Sequence, residues 1–207
     1  MLKSKTLLSL AATIFLIFGS SSRAEDVRPR HLFIVTDQSH SMYMPAFSSI
    51  KLQVSGITDA LTTYPIACGD ITVTYFSWGG MVGPVHTTHL SDETSQVTLA
   101  NFILEDARID RGATNHPIAW QTVLDHYSPE FATVVIFLTN GSGYLRVLAS
   151  HEDIQVIKVG VIFGSAQTYL ENDFLPGEGE LYQVHKSEEL RDLLLETLTN
   201  LDTPCLG

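Results

Sequence analysis

Cysteine is nearly absent from these 207 residues: Cys68 and Cys205 are the whole supply, and neither a CxxC nor a Cys/His spacing offers a zinc site. Basic residues are scarce too, with 12 Lys and Arg against 23 Asp and Glu and a formal charge of −11. That balance argues against nucleic acid, which is held by cations laid against phosphates, and against an anionic membrane surface for the same reason. The plainer consequence of the acidity is solubility. No GxGxxG follows the first apolar run, so a dinucleotide site lacks its turn, and no GxSxG elbow presents a nucleophilic serine. Repeats, linkers and low-complexity segments are missing as well.

What is present begins with a leader. Met1–Lys5 is short and basic, Leu7–Phe18 is apolar, and Gly19–Ala24 is small and polar apart from Arg23. Ser22 and Ala24 stand where a signal peptidase reads. The apolar run is too short to span a bilayer comfortably, and the residue directly after Ala24 is not a cysteine that could carry a lipid. Residues 1–24 are therefore expected to be a secretory signal and 25–207 the mature domain, periplasmic or secreted, without membrane insertion after cleavage. Cleavage leaves 183 residues, ample for one core, with nine basic against 23 acidic side chains and a formal −14. Both cysteines lie in the mature part, where an oxidising compartment permits one disulfide.

Along the mature chain, Leu32–Thr36, Thr133–Thr139 and Ile154–Phe163 are β-branched apolar runs with little alternation. They predict strands buried on both faces, as in a parallel sheet covered by helices. Ile71–Trp78 reads as a further strand, and Gly79–Gly80 turns it back into a more polar edge strand over Val82–Leu90. Phe47, Ile50, Val54, Ile57 and Leu61 recur at helical spacing after Pro45. Helices are also predicted over Ser91–Glu105, Pro117–Tyr127 and Glu188–Leu201, the last capped by Ser187. Strand and helix alternate throughout, which predicts one doubly wound α/β domain, mostly parallel, with an antiparallel edge strand.

The stretch FIVTDQSHSM, Phe33–Met42, leaves a strand and at once presents Asp37, Ser39 and Ser41. In a doubly wound sheet, ligands sit beyond the carboxyl ends of the strands where the strand order reverses. With an order of 3-2-1-4-5, that point also collects Thr114, in RGATNHP, and Asn140, in TVVIFLTNGSG. All five side chains offer oxygen and none offers sulfur, the donor set of Mg²⁺, Mn²⁺ or Ca²⁺. In an extended turn, positions i, i+2 and i+4 face one way, so Asp37, Ser39 and Ser41 could reach one ion.

On these residues the chain resembles a von Willebrand factor type A domain. DQSHS matches that family's DxSxS metal-ion-dependent adhesion site, Gly112–Ala113–Thr114 resembles its threonine loop, and LTNGSG stands where it usually reads TDG. The likeness is especially close to exported bacterial proteins of this type. It implies a Rossmann-like fold, direct contacts to the ion from Ser39, Ser41 and Thr114, and a water-mediated role for Asp37. It also implies a non-enzymatic module, its open coordination position taken by a carboxylate of a protein partner. Asn140 departs from the family's second aspartate and removes one charge. The alternatives are a degenerate scaffold without metal and a hydrolase in the same cleft. The resemblance further places the last helix beside the first, bringing Cys205 towards Cys68 for a disulfide.

Other chemistries fit less well. The DxS motif also resembles the DxDxT of haloacid dehalogenase-like phosphatases, but Ser39 stands where their second acid protonates the leaving group. His86 and His89 fall on opposite faces of a strand, His40 is expected to face away from an ion, and His116 to line a rim or start a helix. Tyr144, Trp78 and Trp120 could border a binding surface, although tryptophan in such a fold usually belongs to the core.

Overall fold

The computed structural model of the chain describes residues 28–43, 48–67, 71–140, 151–161 and 180–202. The expected signal, Tyr144, Cys68 and Cys205 lie outside the described residues. The inner strands of the sheet are built around apolar runs. β1 (Arg30–Asp37), β4 (Ala132–Thr139) and β5 (Ile154–Val161) are buried along almost their whole length. β2 (Ile71–Trp78) flanks β1 on one side, and the shorter β3 (His86–Leu90) and β6 (Glu180–Val184) form the edges.

The sheet order is β3-β2-β1-β4-β5-β6. Among the described strands only β3 runs antiparallel, against β2; the other neighbours are parallel. The doubly wound fold predicted from the sequence is therefore the one adopted, extended by β6. That strand, ELYQV, is polar and half open to solvent, so its sequence carries no buried-strand signature. The edge strand is also shorter than Val82–Leu90: Val82 makes only an isolated bridge to Trp78 before β3 begins.

Five described helices accompany the sheet: α1 (His40–Tyr43), α2 (Ser48–Thr63), α3 (Glu93–Asp106), α4 (His116–His126) and α5 (Ser187–Leu201). Their starts differ slightly from the sequence reading. α3 starts at Glu93 rather than Ser91 and is capped by Asp92: its carboxylate accepts from Ser95 N at 2.8 Å while Ser95 Oγ accepts from Asp92 N at 3.2 Å. Ser187 is already inside α5 and caps nothing. Glu189 instead reaches back to accept from His185 N at 2.7 Å.

Alternation along each strand divides the core in two. Leu32 and Ile34 face α2, α3 and α5 in the larger cluster; Phe33 and Val35 face α4 in the smaller one, with Trp78, Trp120 and Phe137. Leu190 and Leu198 of α5 are fully buried in the larger cluster, each worth about 1.5–3 kcal/mol in removed apolar surface. α5 crosses α2 at Gly56, where a Cβ would lie 2.8 Å from Ser187 O and 2.9 Å from Leu190 Cβ. Among the described residues no helix is long and apolar enough to cross a membrane.

Candidate functional site

Strand β1 ends at Asp37 in the middle of the sheet, between β2 and β4. The chain does not continue extended: α1 begins at His40. The period-two argument therefore does not hold for Ser41, which sits in a helical turn. The turn nevertheless brings the hydroxyls together, with Ser39 Oγ 3.2 Å from Ser41 Oγ. Across the switch point Asn140 leaves the end of β4, its Nδ2 3.2 Å and its Oδ1 3.4 Å from Ser41 Oγ.

Asp37 is fully buried behind these hydroxyls. Its Oδ1 accepts from Ser39 N at 2.8 Å and its Oδ2 from Thr139 Oγ1 at 2.6 Å. Burial pushes its carboxyl up to about 6, against the pull of the hydrogen bonds from Ser39 and Thr139. Its main-chain carbonyl is held by Gln53 Nε2 of α2 at 3.1 Å. Thr139 and Gln53 were not legible as site residues, since only the fold brings them to Asp37. One local signal for Thr139 exists: it is a polar residue closing an apolar run next to Asn140.

The threonine loop is laid directly against the serine turn. His40 N donates to Gly112 O at 2.7 Å, and Arg111 N donates to Gln38 O at 2.9 Å. Gly112 has φ 79°, a left-handed conformation that glycine adopts without steric cost. Its N–H donates to Asp110 Oδ1 at 2.8 Å. Thr114, half-buried, follows two residues later. The exposed His40 pairs through Nδ1 with Asp110 Oδ2 at 2.8 Å. That bond, then the Gly112 N–H, holds the Asp110 carboxyl below its ordinary range.

The other histidines and tryptophans do not gather here. His116 starts α4 but lines no rim: it is fully buried and packs 4.7 Å from the Trp78 ring. Trp78 and Trp120 are core. His86 stacks on Phe102. Among the described residues no three His, Cys, Asp or Glu side chains come together to hold a metal. What converges is one carboxylate, hydroxyls and one amide. These are hard oxygen donors with few charges, and the chemistry of that set fits a hard divalent ion, with Asp37, Ser39, Ser41, Thr114 and Asn140 as the residues that would hold it.

No protein-family model matches the sequence, and no curated protein matches it. Solved structures do. An aerotolerance-related membrane protein from Bacteroides fragilis aligns over 83% of this chain and 99% of its own at 13% identity, TM-score 0.56. A von Willebrand factor type A protein from Catenulispora acidiphila aligns over 84% of this chain and 43% of its own at 12% identity, TM-score 0.55. Proximal thread matrix protein 1 from the mussel byssus, in a form with a zinc-occupied MIDAS motif, aligns over 84% and 48% at 17% identity, TM-score 0.54. The chain spans under half the length of these last two. With the six-stranded order and the single antiparallel edge strand, these likenesses give the fold: it is that of a von Willebrand factor type A domain.

Proposed function

We propose that the chain is a non-enzymatic binding module that holds a divalent ion between Ser39, Ser41, Thr114 and Asn140, with Asp37 behind them, and through it a carboxylate of a protein partner. The observation carrying this reading is the convergence on Ser41 Oγ of Ser39 Oγ, at 3.2 Å, and Asn140 Oδ1, at 3.4 Å, in front of a buried carboxylate. The ion would supply positive charge and an open coordination position. The protein side chains orient it, and Asp37 is the only full negative charge among the five. Mg²⁺ is the ion best matched, with Mn²⁺ or Ca²⁺ as substitutes. That a mussel matrix protein of this fold carries zinc in the corresponding motif supports a divalent ion here.

One observation favours a second reading, a scaffold that works without metal. Asp37 already has a donor on each oxygen, and the Asn140 amide reaches Ser41 directly. Thermal melting of residues 25–207 in EDTA, Mg²⁺, Mn²⁺ and Ca²⁺ separates the two. A ligand at 100 times its Kd adds about 2.7 kcal/mol, a shift of several degrees. No shift at millimolar ion refutes the metal reading. Turnover of ester or phosphate substrates by the same preparation would refute the non-enzymatic one.

A further inference from the structure

Beneath the serine turn lies a buried polar cluster that the proposed ion site does not use. Gln38 sits between Asp37 and Ser39, but its side chain is 1% exposed and turned to the other side of the strand end. Its Nε2 lies 3.3 Å from Tyr75 Oη and 3.3 Å from Asp106 Oδ2, the last residue of α3. Tyr75 Oη donates to the same Asp106 oxygen at 3.2 Å and accepts from Thr36 Oγ1 at 3.1 Å. The other Asp106 oxygen pairs with the Arg111 guanidinium, whose Nε donates to Ser77 Oγ at 2.6 Å. Both charged side chains are almost wholly buried, at 4% and 6% exposure.

A buried ion pair is an expensive way to fill space, because each charge loses several kcal/mol of hydration. An apolar pair of similar volume would serve stability as well. What the apolar pair could not do is fix a register. Arg111 is bonded at both ends of its peptide: its N–H donates to Gln38 O at 2.9 Å, and its carbonyl accepts from Gly80 N at 2.8 Å. The surroundings are cut to its shape. A Cβ on Gly83 would lie 2.4 Å from Arg111 Nη2, and one on Gly79 would lie 2.8 Å from Arg111 Cβ. Three residues after Arg111 comes Thr114, and one residue after Gln38 comes Ser39.

We propose that Gln38, Asp106 and Arg111 are positioning residues of the ion site: their buried brace sets the spacing between the serine turn and the Thr114 loop. The inference rests on the proposed ion-binding role of that site, and it assigns to the brace geometry rather than stability. Outer partners of metal ligands typically change affinity by roughly 10- to 100-fold when removed, and that is the effect assigned to this brace.

The decisive variant replaces both charges together, Asp106→Leu with Arg111→Met, so that no unpaired charge is left buried. Its melting temperature in EDTA is expected to fall by no more than the stranded Ser77 and Tyr75 hydroxyls cost, and less than for removal of either charge alone. Its Mn²⁺ affinity, by calorimetry or the electron-spin signal of free Mn²⁺, is expected to fall at least tenfold. Amide exchange should quicken at 38–41 and 111–115 and stay unchanged in β5. Gln38→Met, a milder change, should lower Mn²⁺ affinity in the same direction. Parent-like Mn²⁺ affinity in the double variant overturns the proposal. If the parent itself binds no Mn²⁺, the metal reading fails on its own, and the exchange measurement alone decides the brace: unchanged exchange at 38–41 and 111–115 overturns it.

Discussion

Strand β1 carries two buried titratable groups whose acid-base behaviour opposes, and Asp37→Asn should expose this. At one end, burial raises the Asp37 carboxyl from 3.8 to about 6. Near the other, burial, with a smaller contribution from His126, lowers the His31 imidazole from 6.5 to about 4. His31 is 6% exposed, and its Nε2 is 2.8 Å from Thr74 Oγ1. Between pH 3.8 and 6 the folded chain keeps a proton on Asp37 that the unfolded chain has lost, so this group contributes less stability as pH rises. Between pH 4 and 6.5 the unfolded chain holds a proton on His31 that the fold excludes, so that group contributes more as pH rises. At ~1.4 kcal/mol per pH unit, each effect is worth about 3 kcal/mol, with opposite sign over nearly the same window. In EDTA their contributions to the parent's pH profile should nearly cancel between pH 4 and 7. Asp37→Asn keeps the shape, removes the titration and leaves the His31 penalty unopposed. Denaturant unfolding should then show the variant losing about 3 kcal/mol relative to the parent on going from pH 7 to pH 4. A variant profile parallel to the parent's would refute the reasoning.

Thr139→Val removes the hydroxyl that donates to Asp37 at 2.6 Å; a hydrogen bond to a buried charge is worth roughly 1.5–3 kcal/mol, so a drop of several degrees in melting temperature at pH 7 is expected, with Thr139→Ser near the parent. Asn140→Asp restores a charge worth about 4 kcal/mol gross at 4 Å in an effective dielectric of 20. Calorimetry should show tighter Mg²⁺ and Mn²⁺ binding, whereas melting in EDTA should show lower stability, because the amide contact to Ser41 is exchanged for a second carboxylate. Cys68 and Cys205 are expected to be bonded: Ala67 N donates to Asp202 Oδ2 at 2.8 Å, tying together the described residues nearest to each cysteine. A loop on the order of 100 residues gives about 4–5 kcal/mol in the chain-entropy model. Two alkylated cysteines in unreduced protein from an oxidising compartment would refute the bond.

The parts of the fold legible in the sequence are those whose burial is symmetric. LFIVT, TVVIFLT and the run from Ile154 announce covered strands because both faces of each are apolar, and β2 with its antiparallel return is marked by Gly79–Gly80. β6 was silent because an edge strand with Glu180, Tyr182 and Gln183 exposed carries no such pattern. At the candidate site, Asp37, Ser39, Ser41 and Asn140 were legible as a motif, yet the reason given for Ser41 was wrong, since a four-residue helix replaces the extended turn. Gln53, Gln38, Asp106 and Arg111 carry no local mark, and Thr139 only that of a polar residue closing an apolar run. Their roles come from partners as far as 102 residues away, as for Thr139 and Asp37. His116 misled because a polar residue beside a helix start is usually solvated, whereas here the ring fills a gap beside Trp78.

Sheet order also sets when this molecule can fold. β1 is the first strand made, yet it lies mid-sheet: its partners are β2, about 40 residues later, and β4, about 100 residues later. The leucines of α5 that roof the larger core come last of all. Loops of that span must close before their contacts repay the entropy, and topologies rich in distant pairings fold on the slower side of the millisecond-to-second range. Until β4 has left the ribosome, LFIVT is an apolar strand with at least one unpaired edge. A nascent chain in that state depends on whatever binds exposed strands to keep it from aggregating.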